Sequence, residues 1–228
     1  MFGDKKLAIR KASRKSIVVV PHYDDEILCA ISFLLAYPHA IDLYFTHQDD
    51  FITKEEEHRQ SEMLHKCLSL INSYRGVCGY PPVMSFCFDA TDESLTKEML
   101  MSACRMPIEY FVTTGPSTHE SHVKCFEWCR QLLRWPFIQN IKTFMAAQYP
   151  QNWYSIGEQS TTYVRIDGDV LKTVVKNCFE CYADKIKQNE FFGYEAFKLG
   201  LKFFGMRTKF DYAQPFTILH QQLYVEGD

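Results

Sequence analysis

The chain has 228 residues, of which 46% are hydrophobic and 23% charged, and this globular composition excludes a disordered or repeat-built protein. The length predicts one elaborated domain over residues 1–228, because domains commonly hold about 150 residues. A formal net charge of −3 and a pI near 6.2 exclude a general electrostatic attraction for nucleic acid or an anionic membrane. No nucleic-acid partner is expected, and any anionic partner must be held by a local group of charges.

The N-terminal segment 1–15 differs from this average because its basic residues cluster in "KKLAIRKASRK" without an acid among them. These are Lys5, Lys6, Arg10, Lys11, Arg14 and Lys15. The segment is predicted to be a solvated arm, with a surface-binding role as the alternative. The apolar run that follows is too short for a secretory signal, and no 18-residue apolar span occurs, so we expect a cytoplasmic protein without stable membrane insertion.

Nine cysteines do not predict a disulfide framework, because the number is odd and several lie in apolar helical patterns. A reducing compartment fits them better. Cys178 and Cys181 form a C-x-x-C pair in a predicted helix, but no second pair completes a zinc cage. They are predicted to be packed or surface thiols.

Strand-like and helical patterns alternate through the first two thirds of the chain. The strand-like runs cover residues 16–21, 41–46, 83–88, 108–113 and 143–147, and the helical patterns lie near residues 25–37, 54–73, 94–104 and 120–134. This alternation predicts an α/β fold with a mostly parallel, Rossmann-like sheet between two helical layers.

The pattern changes after Pro150, and residues of about 150–228 are predicted to form a C-terminal cap of strand and helices. "TTYVRID" reads as a further strand, followed by a long helix over residues 170–188 and another over 190–204. The final "QPFTILHQQLYV" is predicted to be an edge strand or a packed tail.

Polar residues that bind metals or transfer protons follow four successive predicted strands. They are His22, Asp24 and Asp25 after the first, His47, Asp49 and Asp50 after the second, Asp89 and Asp92 after the third, and His119 and His122 after the fourth. In open α/β sheets the ligand crevice lies outside the carboxyl ends of the strands, so these groups are expected to share one rim.

Two common α/β sites are excluded by the first strand–helix junction, which reads "PHYDDE". It contains no glycine-rich turn for a dinucleotide or a nucleoside triphosphate. A G-x-S-x-G nucleophile elbow is also absent from the sequence.

Imidazole and carboxylate groups are suited to a divalent metal, and zinc takes both. His22 and one of the two adjacent aspartates could supply two ligands, and "HESH", residues 119–122, could supply a third from another strand end. One imidazole of that motif could bind the metal while the other faces the same cavity. Consecutive aspartates point in different directions, so one could hold the metal and the other a water molecule.

These motifs resemble those of the PIG-L/LmbE-like zinc-dependent N-deacetylases. "PHYDDE" is similar to the family signature P-H-P-D-D-E, "HESH" to its H-P-D-H, and "THQDD" to its T-H-G-E, while Arg59 and Glu62 match an R-x-x-E. The resemblance covers residues 16 to about 130 and extends more faintly to "EAFKL". It implies a zinc-dependent enzyme that removes the acetyl group from an N-acetylglucosamine-type amino sugar or its conjugate.

The resemblance also implies roles for individual residues. His22, Asp25 and His122 would be the ligands of Zn²⁺, with another divalent metal as the alternative. Asp24 would be the general base, and His119 would polarise the substrate carbonyl.

Three more residues are predicted to bind substrate, each with a structural alternative. They are His47, Arg59 and Asp89. His47 could instead belong to a polar turn, Arg59 could form a surface ion pair with Glu62, and Asp89 could form a turn. The expected partner is a small amino sugar, and a homo-oligomer is left open.

Two positions depart from the family motifs. Tyr23 replaces a proline, and Ser121 replaces an aspartate that could orient an imidazole. The alternatives to a deacetylase are therefore an amidase for another acyl group and a sugar-binding or assembly protein that keeps the metal without turnover.

Overall fold

A seven-stranded sheet organises the chain in the computed structural model, which describes residues 15–46, 53–87, 93–115, 119–133, 136–148, 150, 162–187 and 193–222. The strand order is β3-β2-β1-β4-β5-β7-β6. The strands are β1 (Lys15–Val20), β2 (Ala40–Phe45), β3 (Val83–Cys87), β4 (Ile108–Thr114), β5 (Ile141–Ala147), β6 (Thr162–Ile166) and β7 (Tyr212–Gln221). The first five pair in parallel, as the alternating pattern predicts.

Helices follow the strands where the apolar periodicity places them. They are α1 (Asp25–Ala36), α2 (Lys54–Val77), α3 (Glu93–Ala103), α4 (Glu120–Leu132), α5 (Gly168–Val170), α6 (Lys176–Cys181), α7 (Ala183–Lys187) and α8 (Tyr194–Thr208), with a 3₁₀ turn at Pro136–Asn140 and a π-helical turn at Leu171–Val175. The first four confirm the predicted helices to within a few residues, and α6 confirms that the C-x-x-C pair lies on a helix. No helix in the described ranges is long and apolar enough to cross a membrane.

Two hydrophobic cores, one on each face of the sheet, follow from the two-residue period of the buried strands. Val18 and Val20 of β1 belong to a core with α1, α2, α6 and α8. Ile17 and Val19 of the same strand belong to a second core with α3 and α4. The predicted α/β fold with helices on both faces is therefore confirmed.

The C-terminal region extends the same sheet, and two predictions about it are wrong in detail. The predicted edge strand is β7, which lies between β5 and β6 and pairs antiparallel with both. Pro215 made an edge the natural expectation because proline donates no ladder hydrogen bond. Its carbonyl accepts from the Gln148 N–H, so its nitrogen faces β5 just beyond the last pair, Ala147 with Phe216, where no ladder bond is lost.

The long helix predicted over residues 170–188 is not continuous. Its first part contains the π-helical turn, and it breaks at Tyr182, which separates α6 from α7. Tyr182 is fully buried, so its side chain is committed to a tertiary contact that helical periodicity does not reveal.

A buried arginine holds the far end of α1. The Arg75 guanidinium, fully buried, donates to the carbonyl oxygens of Leu34, Tyr37, His39 and Pro81 at 2.5 to 2.8 Å. Carbonyls at the C-terminus of a helix have no partners within the helix. Arg75 therefore satisfies them and fixes the helix whose first residue is Asp25.

Candidate metal centre

The candidate site lies where the sheet order reverses, between β1 and β4. These strands are parallel neighbours, but α1 and α4, which follow them, pack into the cores on opposite faces of the sheet. The crevice between two such connections is the common ligand site of open α/β sheets. Residues from the β1–α1 and β4–α4 junctions therefore meet there.

Gly115 lets the chain turn closely at the end of β4. Its N–H donates to the Ala147 carbonyl oxygen at 2.5 Å, and a Cβ at this position would lie 2.8 Å from the same oxygen. A larger residue would push β4 away from β5 beside the candidate site.

Three of the predicted site residues converge on one point. The Asp25 Oδ2 atom lies 3.3 Å from His22 Nδ1 and 3.4 Å from His122 Nε2. The candidate ligand atoms of all three residues lie within 4.8 Å of one another. Asp25 and His122 are buried, and His22 is partly exposed, so the cluster opens to solvent on one side.

The donor set fits a divalent metal. Bonds of about 2.0 to 2.1 Å in a tetrahedral zinc site place neighbouring ligand atoms roughly 3.3 to 3.4 Å apart, which are the separations around Asp25 Oδ2. The other carboxylate oxygen, Asp25 Oδ1, is buried and accepts no hydrogen bond from the described residues. A buried carboxylate with an unused oxygen beside two imidazoles is an arrangement that a cation stabilises.

The pKa values of Asp25 and His122 both lie below their usual values. Burial by itself raises the pKa of Asp25, but the nearby His122 and His22 outweigh it and hold the pKa below its usual value. Burial lowers the pKa of His122, which favours the neutral imidazole that metals bind. The His22 backbone N–H also donates to Asp25 Oδ2 at 3.0 Å.

Asp24 stands beside the cluster in a left-handed backbone conformation with φ 110°. Lys185 of α7 fixes this turn, because its ammonium group donates to the Tyr23 carbonyl oxygen at 2.8 Å and pairs with Asp24 Oδ2 at 3.1 Å. Burial raises the pKa of Asp24 to about 6, with Lys185 opposing the rise and the charge of Asp25 adding to it. Asp24 is the N-cap of α1 but makes no side-chain capping bond, so helix capping does not explain its carboxylate.

Glu26 supports Asp24 from the buried side. One of its oxygens accepts the Asp24 backbone N–H at 2.8 Å, and the other accepts the Tyr182 hydroxyl at 2.7 Å. Burial raises the pKa of Glu26 to about 7, against the opposing hydrogen bond from Tyr182. The turn that presents Asp24 is thus held by Lys185 and by the Tyr182–Glu26 pair.

His119 precedes α4 at its N-cap position and is exposed. Its ring centroid lies 5.8 Å from that of His122, so the two imidazoles of "HESH" are neighbours at the crevice. Glu120, between them in sequence, is exposed and pairs with Lys124 at 2.9 Å.

Tyr23, which replaces the proline of the family motif, is buried with its ring edge-to-face against Phe45 at 5.0 Å between centroids. The substitution therefore adds a core contact behind the motif. Burial raises the pKa of the Cys87 thiol, and Tyr23 lowers it by a smaller amount.

Of the three residues predicted to bind substrate, Arg59 lies within the described ranges. Arg59 forms an ion pair with Glu56 through two contacts at 2.7 and 3.0 Å. The predicted alternative, an ion pair with Glu62, is wrong, because Glu62 contacts His58 at 3.5 Å. Arg59 also lies 4.0 Å from Asp184, the neighbour of Lys185, which brings the start of α2 close to α7.

The other two substrate-binding predictions fall on residues outside the described ranges. These are His47 and Asp89, and the same holds for Asp49, Asp50 and Asp92 of the predicted rim.

Lys185 and Tyr182 are site residues that the sequence pattern did not identify. Each is a single residue in a helical segment, about 160 positions after the motif that it contacts. A lysine or tyrosine in such a segment carries no local signal of its partner.

No family model matches the chain, and no curated protein matches it. Several solved structures do match this chain. A structure of GalB, the 4-carboxy-2-hydroxymuconate hydratase from Pseudomonas putida KT2440, superposes with a TM-score of 0.70 at 10% identity, covering 94% of this chain and 100% of that one.

Two further solved structures match a similar share of this chain. The conserved protein TT1542 from Thermus thermophilus gives a TM-score of 0.65 at 14% identity over 95% of this chain and 99% of that chain. The N,N'-diacetylchitobiose deacetylase from Pyrococcus horikoshii, solved with an inhibitor, gives 0.58 at 11% identity over 92% and 85%.

At such low identity these similarities establish the fold. The α/β fold that the resemblance in the sequence motifs implied is thereby confirmed. One of the similar proteins is a deacetylase and another a hydratase, so the fold alone does not choose the reaction.

Proposed function

We propose that this protein is a metal-dependent hydrolase that removes the N-acetyl group from an N-acetylglucosamine-type amino sugar or its conjugate and releases acetate. The observation that carries the proposal is the convergence of His22, Asp25 and His122 beside a second acid, Asp24, that is held in place by Lys185. Three metal ligands alone would be enough for a binding protein, whereas hydrolysis also needs a positioned general base, which Asp24 supplies.

His22, Asp25 and His122 would hold the metal. Two imidazoles and one carboxylate suit Zn²⁺, and catalytic zinc sites keep a position open beside three protein ligands. A metal bound there would lower the pKa of a water molecule from about 15.7 to about 7 and so provide a nucleophile at neutral pH.

Asp24 accepts the proton of the attacking water and returns it to the nitrogen that leaves. Lys185 and Glu26 hold the Asp24 turn, so the carboxylate is positioned before substrate binds. His119, beside His122 at the crevice, donates a hydrogen bond to the amide oxygen as negative charge develops on it. Water activation, proton transfer and charge stabilisation are thus assigned to separate groups.

The test begins with the metal content of the purified protein, measured by mass spectrometry. Acetate release is then followed from a panel of N-acetylglucosamine conjugates that includes N,N'-diacetylchitobiose. Asp24→Asn is expected to keep the metal but lose about 10²- to 10⁴-fold of the rate, the usual contribution of a general base. The proposal is wrong if the wild-type protein releases acetate no faster than this variant.

A hydratase is the second candidate, because the GalB hydratase superposes with the highest of the three TM-scores. An activated water and an adjacent base could also add across a carbon–carbon double bond. Loss of 4-carboxy-2-hydroxymuconate absorbance, with no acetate formed from the sugar panel, would favour this reaction.

A sugar-binding protein without turnover makes a different prediction. It would bind metal and the same sugars tightly in calorimetry while releasing no acetate. Ser121, in place of the family aspartate, is the feature that motivates this alternative.

A further inference from the structure

The outer face of α8 carries a stripe of large apolar side chains. Ten such side chains are exposed in the described part of the chain, and four of them fall between residues 199 and 210. Leu199 and Met206 are 62% and 67% exposed, and Phe203 and Phe210 are 41% and 39% exposed. Residues three, four and seven apart share one face of a helix, so Leu199, Phe203 and Met206 lie on one face of α8, and Phe210 follows two residues after the helix ends at Thr208.

The opposite face of α8 is already used by the core. Phe197, Leu201 and Phe204 are buried and belong to the core on this side of the sheet. The exposed stripe is therefore additional to the face that folding needs. An amphipathic helix of a globular protein normally turns polar residues to that side.

Basic side chains flank the stripe. At 100° per residue, Lys202 lies about 60° round the helix to one side of Leu199, and Arg207 lies about 80° to the other. Four basic residues and one acidic residue occur between residues 194 and 210, in a chain whose net charge is −3. Glu195 pairs with Lys198, and Asp211 shares a surface cleft with Lys202, so Arg207 and Lys209 supply the net positive charge.

The end of α8 is shaped so that a cation and Phe210 lie beside the stripe. Lys209 adopts a left-handed conformation with φ 63°, which glycine takes more readily at helix ends. The Phe210 N–H donates back to the Gly205 carbonyl oxygen at 3.0 Å. A lysine therefore occupies a position where glycine would adopt the same backbone conformation at a lower cost in free energy.

We propose that α8 is a docking surface for an anionic phospholipid bilayer. The apolar stripe of Leu199, Phe203 and Met206 enters the boundary between headgroups and acyl chains together with Phe210, while Arg207 and Lys209 contact the phosphates. Apolar residues on one face with lysine and arginine at its borders are typical of helices that lie in the plane of a membrane. A second copy of the chain fits less well, because two such helices would bring like charges together.

This proposal does not depend on the proposed function and is tested separately by vesicle binding. The full chain is sedimented with vesicles of phosphatidylcholine alone and of phosphatidylcholine mixed with phosphatidylserine, at low and at high NaCl. Binding is expected only with phosphatidylserine and is expected to weaken as salt rises.

Two double variants test the two parts of the surface. Leu199→Ser with Met206→Ser is expected to weaken vesicle binding by at least about tenfold through lost apolar contact. Arg207→Gln with Lys209→Gly is expected to weaken it roughly thirtyfold. Glycine suits the Lys209 conformation, so misfolding would not account for that loss.

The matched control replaces exposed apolar side chains elsewhere, Val77→Ser with Met106→Ser, which are 89% and 66% exposed, and it is expected to bind vesicles as the wild type does. The proposal is overturned if the wild type does not sediment with phosphatidylserine vesicles, or if the variants bind equally well. It is also overturned if the Leu199 and Met206 variant instead abolishes a dimer in sedimentation equilibrium, since the surface would then join two copies.

Discussion

The candidate site is built from two regions that contribute in different ways. The junctions after β1 and β4 contribute the clustered groups themselves, His22, Asp25 and His122, through two short motifs. The C-terminal region from β6 onward contributes single residues, such as Lys185 and Tyr182, that hold the first motif in place. The motif residues are the proposed metal ligands, and the scattered residues hold the backbone that presents them.

The largest expected effect is the loss of bound zinc and of activity when a motif histidine is replaced. His122→Ala removes one of three proposed ligands from a buried cluster, so bound zinc is expected to fall below stoichiometric levels and acetate release to background. His65→Ala, at an exposed position on α2, is the matched control and is expected to keep both. Full zinc occupancy in His122→Ala, measured by mass spectrometry after gel filtration, would remove this residue from the ligand set.

A buried glutamine tests how strongly the C-terminal strands support α1. Gln214 on β7 accepts from the N–H and hydroxyl of Ser32 at 3.0 and 2.6 Å and donates to the Leu28 carbonyl oxygen at 3.0 Å. Gln214→Leu leaves these groups without their partner and is expected to lower the free energy of unfolding by about 2 to 3 kcal/mol. Urea unfolding measures it, and Gln221→Leu, exposed on the same strand, should change stability by less than about 0.5 kcal/mol.

Equal stability of the two glutamine variants would contradict this supporting role. The C-terminal strands would then extend the sheet without fixing the helix that begins at Asp25.

Tyr182 tests the same support at the site itself. Tyr182→Phe removes the hydroxyl that donates to Glu26 and is expected to lower the free energy of unfolding by about 1 to 2 kcal/mol, because a buried carboxyl loses its partner. Tyr194→Phe loses a hydroxyl bond to the Leu171 carbonyl at a partly exposed position and is expected to cost less. The two variants are compared by thermal unfolding, and a smaller loss at Tyr182 would argue against a supporting contact.

Replacement of Lys185 is expected to give the smallest effect, which is a decrease in kcat. Lys185→Met removes the cation that pairs with Asp24, so kcat is expected to fall roughly fivefold to tenfold with KM and zinc content retained. Lys185→Arg should restore part of the rate. Lys187→Met, with its side chain 79% exposed on the same helix, is the control, and a change confined to KM would mean that Lys185 contacts substrate instead.

The strands and helices before Pro150 could be predicted because their signals are local. Continuous apolar runs such as "SIVVV" fit strands buried on both faces, and apolar spacing in "DEILCAISFLLA" fits a helix on the sheet. The position of β7 inside the sheet could not be predicted. Proline is usually confined to edge strands because it cannot donate a ladder hydrogen bond, and only the tertiary structure shows that Pro215 lies just beyond the last pair of the β5 ladder.

The sequence by itself determined the fold class and identified "PHYDDE" as the candidate site, because residue type and short spacing indicate a strand end with side chains that could bind a metal. The tertiary structure alone decided that His122 meets Asp25 at 3.4 Å and that Lys185 and Tyr182 hold Asp24 and Glu26. Contacts between residues about 160 positions apart depend on how helices pack over the sheet. No local pattern encodes them, because each partner is an ordinary residue until the chain folds.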